Sequence, residues 1–130
     1  MKMKTFIMAN QDIYEKAIKL VNDFTIDNIA LPIAACFSIE KNKSVLTAIA
    51  EDIERSRFQI IQRYGTSQDD GNFLVASDKI EEANEELSAL LHIEQEIKIY
   101  TFKIEELKNV ELTPSQMKAI MFMIDEGEEN

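Results

Sequence analysis

Apolar residues recur along this chain in two rhythms, one helical and one alternating. After a short β-favouring segment, Lys2 to Met8, the residues Ile13, Ala17, Leu20, Val21 and Phe24 return at helical spacing. They predict a first helix over 11–24, with Asn10 as its cap and an end near Thr25-Ile26-Asp27-Asn28. Leu31-Pro32 opens the next element, because proline loses nothing at the first turn of a helix. Behind it Ala35, Ile39, Leu46, Ile49, Ile53, Ile60 and Tyr64 form one stripe in steps of three, four and seven. Asn42 and Ser56 fall on that stripe as polar interruptions. The pattern predicts one long helix over 32–64, with room for a kink at the polar run 40–44 and a left-handed stop at Gly65.

Asp69-Asp70-Gly71-Asn72 has the composition of a tight turn, and Phe73-Leu74-Val75 that of a short extended piece. Ser77 or Asp78 caps the next helix, and Asp78 with Glu81 has capping-box spacing ahead of Ile80, Ala83, Leu87, Leu90 and Leu91, predicting a helix over 78–92 that packs antiparallel on the long one. Residues 94–104 carry the alternating rhythm. Ile97 and Ile99 lie on one parity and Tyr100, Phe102 and Ile104 on the other, a switch that suggests a bulge or an end-to-end switch of faces. A strand needs a partner, and segment 2–8 comes first, 73–75 second. Thr113-Pro114-Ser115-Gln116 combines a cap, a first-turn proline and a capping-box glutamine, predicting a last helix over 114–124. The expected fold is therefore α+β, mainly α: a long helical hairpin with a small two- or three-stranded antiparallel sheet, in one domain over 1–130 with a frayed acidic tail at 125–130.

Composition adds a compartment. The chain has 130 residues, is 45% hydrophobic and 29% charged, and can build a core without staples. Its one cysteine, Cys36, excludes an intrachain disulfide and points to a reducing compartment. The N-terminal apolar run is broken by Lys4 and ends at Asn10, too short for a secretory signal, and no stretch is long enough to span a bilayer. The expected location is the cytoplasm.

Charge placement says more than the net −10. Residues 1–65 hold 9 Lys/Arg and 8 Asp/Glu, whereas residues 66–130 hold 5 and 16. An acidic half repels nucleic acid and anionic membrane and attracts basic protein surfaces. Arg55, Arg57 and Arg63 are interleaved with Glu51, Asp52 and Glu54, which argues against direct nucleic-acid binding.

Candidate chemistry is sparse. His92 is the sole histidine, so a zinc site would depend on carboxylates, which zinc disfavours. Cys36 lies in an apolar Ala-Ala-Cys-Phe context, where a small core residue is expected rather than a nucleophile. Three glycines cannot assemble a phosphate cradle, and Asp69 to Asn72 lacks the spaced ligands of a calcium loop. No catalytic, cofactor or metal residues are expected. Two surfaces are candidates for a partner. One is the acidic face Glu81, Glu82, Glu85 and Glu86, whose like charges at four-residue spacing mildly weaken the helix that carries them. The other is the terminal helix, apolar nearly all round, with Met117, Met121 and Phe122 widening its face.

Leu31-Pro32 opening a long helix, its close at Gln62-Arg63-Tyr64-Gly65, the Asp-Asp-Gly-Asn turn, the acidic helix 79–87, the following strand and the ending Leu112-Thr113-Pro114-Ser115-Gln116-Met117 form a pattern. Over residues 30–125 it resembles small proteins encoded by phages and prophages of Gram-positive bacteria. The resemblance lends no active residues. It implies a phage accessory protein that binds a host or phage protein, with inhibition of a host defence protein as one form. An acidic nucleic-acid mimic and an oligomeric virion or assembly component are the alternatives.

Overall fold

A computed structural model of the chain describes residues 2–24 and 30–125. Their order is β1 (Lys2–Ala9), α1 (Asn10–Asp23), α2 (Ile33–Tyr64), β2 (Gly65–Ser67), β3 (Phe73–Val75), α3 (Ile80–His92), β4 (Glu94–Lys103), α4 (Pro114–Ile120) and β5 (Ile124–Asp125). The class is α+β, mainly α, as the spacing predicts. The expected end of the first helix at 25–28 and most of the acidic tail lie outside the described residues. Asp125 belongs to β5 rather than to that tail.

β1 and β4 pair antiparallel along their length, from Lys2 opposite Thr101 to Ala9 opposite Glu94. That register contains no bulge. The parity switch has another cause: the C-terminal half of β4 is covered on both faces. Ile99 and Thr101 are buried on one side and Phe102 on the other, where Phe37 of α2 meets the Tyr100 ring edge-on at 5.7 Å. The third strand, β5, joins β4 in parallel at Phe102 and Lys103, so the sheet is mixed rather than purely antiparallel. β3 pairs with β2, not with β4, and closes a hairpin between α2 and α3.

The core gathers Met8, Ile13, Ala17, Leu20, Phe24, Ala35, Ile39, Leu46, Ile97, Ile99, Phe102, Ala119, Ile120 and Met123 from both strands and three helices. Ile53, Ile60 and Ala83 are buried farther along α2 and α3, outside that cluster. α2 runs unbroken for 32 residues, so the chain does not break at 40–44; there Glu40, Lys41 and Ser44 are exposed, whereas Asn42 is buried.

Local start signals fared unevenly. α4 has the full capping box: Thr113 Oγ1 accepts from the Gln116 amide, and Gln116 Oε1 accepts from the Thr113 amide. α3 begins at Ile80 behind Lys79 with no side-chain cap, because Asp78 precedes the capping position by one residue. Asn10 does not cap α1; it lies within the helix and is buried. Its amide donates to the Leu90 carbonyl at 2.8 Å and its side-chain oxygen accepts from Gln95, which ties α1 to the corner between α3 and β4.

Gly65 ends α2 without entering the left-handed region; its φ is −107° and it starts β2. Glycine is needed there for space, since an added Cβ would stand 2.7 Å from the Ile61 carbonyl oxygen. Gly71 does take a positive φ, 87°, beside Asp70, whose carboxylate accepts from the Asn72 amide at 3.0 Å. The terminal helix is shorter than 114–124. It stops at Ile120, passes through a 3-10 turn over Met121–Met123 and extends at Ile124, because the chain must straighten to pair with β4.

Candidate functional site

α1 and α2 lie side by side in opposite directions, Tyr14 beside Glu54 and Val21 near Thr47. Small side chains lie between them, Ala17 on one and Ala50 on the other. The result is a shallow groove of about 480 Å³. Its floor and flank are Ala17, Ile18, Val21 and Ala50. Ile18 is 41% exposed and Val21 51%, so the groove is open to solvent. Glu51 and Glu54 line its rim, and none of the described residues that line it is cationic.

One end of the groove is closed by polar contacts. The Tyr14 hydroxyl donates to Glu54, and Arg57 approaches the same carboxylate at 3.2 Å. The phenol hydrogen bond, then Arg57, hold Glu54 below its ordinary pKa against desolvation; the same bond raises Tyr14 above its own. A carboxylate kept charged beside an open apolar strip favours a ligand that is apolar on one side and positive at its edge.

The acidic face on α3 is only partly free. Glu86 is engaged: it accepts from the Tyr64 hydroxyl and pairs with Arg63 at 2.5 Å. These bonds hold Glu86 below its ordinary pKa and clamp α3 to the last turn of α2. Glu81, Glu82 and Glu85 remain exposed. The Met-rich candidate surface divides in the same way. Met117 packs partly against the core, Phe122 is half-buried with Lys16 over its ring at 5.4 Å, and Met121 alone is well exposed, at 61%. Sequence spacing does not bring the two candidate surfaces together with the groove. Ile18, Ala50, Glu51 and Glu54 were not among the expected site residues; the groove exists only because α1 pairs with α2, which no local period announces.

A second recess, about 300 Å³, lies beside β4 and is lined by Lys2, Ser38, Thr101, Lys103, Glu106 and Asp125. Ser38 Oγ, in a residue only 1% exposed, has no hydrogen-bond partner there among the described residues. Lys2 meets Asp125 at 3.3 Å, so the opposite charges lining this recess partly neutralise one another.

Elsewhere, His92 sits at the exposed end of α3 with Nδ1 2.7 Å from the Ser88 carbonyl, an intrahelical contact. Among the described residues no group of three His, Cys, Asp or Glu side chains is placed to hold a metal ion. Among the same residues no helix is long and apolar enough to cross a membrane. No protein-family model matches the chain, and neither a curated protein nor a solved structure matches it.

Proposed function

We propose that this protein is a non-enzymatic binding module whose partner is another protein, received as an apolar, positively edged helix in the groove between α1 and α2. One observation carries the reading: an open apolar strip, with Ile18 and Val21 exposed, is rimmed by Glu51 and Glu54, and the one cation near that rim, among the described residues, is Arg57 at the closed end beside Glu54. Tyr14 to Asn22 and Thr47 to Glu54 each span about 12 Å of helix, room for roughly two turns of a partner helix anchored at positions four apart. The net charge of −10 draws a basic partner from a distance. The resemblance over 30–125 to phage-encoded proteins supports a host or phage protein as that partner, and occlusion of a host defence protein's working surface is the action such an origin implies.

The test is a peptide-display selection on the folded protein, with counter-selection on a double variant, Ile18→Asp with Val21→Asp. Both residues are exposed, so the fold tolerates the change. Enriched peptides are expected to carry apolar residues four apart with Lys or Arg beside them, and to lose binding to the double variant. Peptides that bind both proteins equally would overturn the reading.

A nucleic-acid mimic is the second reading, favoured by the exposed Glu81, Glu82 and Glu85 on α3. It places binding on α3 and makes it fall steeply with salt, whereas groove binding responds to Ile18 and Val21.

A further inference from the structure

β1 lies at the edge of its sheet: β4 runs along one side and, among the described residues, no strand runs along the other. The phase of the ladder fixes what that edge offers. Tyr100 directs both its N–H and its carbonyl to Asn42, away from β1. Tyr100 and its opposite residue, Met3, are therefore a non-hydrogen-bonded pair. By alternation Thr5 and Ile7 also turn their amides and carbonyls outward, while Lys4, Phe6 and Met8 bond to β4. The Asn10 N–H to Ile93 carbonyl bond, at 2.8 Å, continues the same phase.

The edge is long and regular. It is eight residues long and has neither proline nor bulge; of the devices that commonly block such edges it carries only lysines, Lys2 and Lys4, both in its first half. Two large apolar side chains stand on its outer face, Met3 at 48% and Ile7 at 70% exposure.

We propose that β1 pairs with β1 of a second copy of this chain, antiparallel about a two-fold axis at Thr5, joining two sheets into one of six strands. The strand's own sequence selects this occupant. A two-fold axis perpendicular to the sheet keeps each face on its own side, so only residues of equal parity pair. Centred on Thr5, Met3 meets the partner's Ile7, and the two exposed apolar side chains cover each other in both halves of the interface. Lys4 meets the partner's Phe6, the same kind of contact it makes within its own strand, where its ammonium lies 5.5 Å from the Phe6 ring. The outward-facing groups of Met3, Thr5 and Ile7 fall opposite one another as hydrogen-bonded pairs, each exchanging two bonds, about six in all.

Neighbouring registers are worse. Centring on Lys4 opposes two lysines at the axis, which is destabilising. Centring on Phe6 sets Met3 against half-buried Ala9 and leaves Ile7 facing Thr5.

Light scattering during gel filtration tests the proposal. At high concentration the species is expected to weigh twice the 14.9 kDa chain. Thr5→Lys puts like charges together at the axis without touching the bonds to β4, and should give the single-chain mass with unchanged circular dichroism. In a Cys36→Ser background, Thr5→Cys should cross-link on oxidation. Hydrogen-bonded antiparallel partners lie about 5.5 Å apart between Cα atoms, within the disulfide range. Lys98→Cys, on β4 and away from the edge, should not cross-link. A single-chain mass at all concentrations overturns the proposal, as does a dimer indifferent to Thr5→Lys. Should Thr5→Lys disturb the fold, cross-linking decides: equal yields at positions 5 and 98 overturn the proposal, and selective linkage at position 5 sustains it.

Discussion

Asn42 closes the edge of β4 at Tyr100: its amide nitrogen donates to the Tyr100 carbonyl and its oxygen accepts the Tyr100 N–H, both at 2.8 Å. The side-chain amide stands in for a neighbouring strand's peptide group, where β5 is too short to reach. Fully buried and also 3.3 Å from Met123 Sδ, it fixes the register between α2 and the sheet. Asn42→Leu keeps the γ-branched shape but leaves two backbone groups unpaired inside the protein. The expected loss is about 2–4 kcal/mol. Urea unfolding should show it as a lower midpoint at an unchanged slope.

Acid stability should report the two carboxylate clamps. Glu54 is held below its ordinary pKa by Tyr14 and then Arg57, and Glu86 by Tyr64 and then Arg63. A lowered folded pKa adds stability that is complete above the unfolded value of 4.5 and disappears as pH falls through the folded one. Tyr14 and Tyr64 are shifted upward, so their contribution holds below 10.0 and is lost as pH rises beyond it. Both carboxylates are well solvated, so the effect is modest. Measured from about pH 6 to pH 3, the urea midpoint of the double variant Glu54→Gln, Glu86→Gln should fall less than that of the parent. Parallel curves would show that the clamps contribute nothing to folding.

Gly65→Ala should destabilise the hairpin end of α2 through crowding rather than backbone strain. The new Cβ would meet the Ile61 carbonyl oxygen at 2.7 Å, and that atom belongs to the helix backbone. Overpacking of this kind costs about 1–3 kcal/mol. The decrease should appear in the thermal midpoint, and Gly71→Ala, in open space but at positive φ, should lower it through strain instead. An unchanged midpoint for Gly65→Ala would show that the last turn of α2 moves aside freely.

What the sequence disclosed tracks how local each cause is. The stripe through Ala35, Ile39, Leu46, Ile53 and Ile60 is buried as its spacing requires, and Thr113 with Gln116 caps α4 within one turn. Alternation marked β4, and segment 2–8 was its only long candidate partner. The misreadings share one property. Asn10 and Asn42 resemble a cap and a polar interruption, yet their partners lie 80 and 58 residues away. β5 passes for the end of a helix because two residues cannot display a period. Of the expected surfaces, Glu86 is taken up by Tyr64 and most of the Met-rich segment by the core. The α1–α2 groove is a property of two helices together, and neither sequence carries it alone.

α2 is also a lever. Its first half is anchored by Ala35, Ile39, Asn42 and Leu46, whereas beyond Leu46 only Ile53 and Ile60 are buried on it. From Leu46 to Tyr64 the rod extends about 27 Å, so a tilt of about 10° at its root would carry the β2–β3 hairpin roughly 5 Å sideways. The groove lines the near part of that rod, from Thr47 to Glu54. Because Arg63 and Tyr64 hold Glu86 at that far end, a small spreading of the two helices by a ligand in the groove would carry α3 along with the hairpin, at a place the ligand never touches.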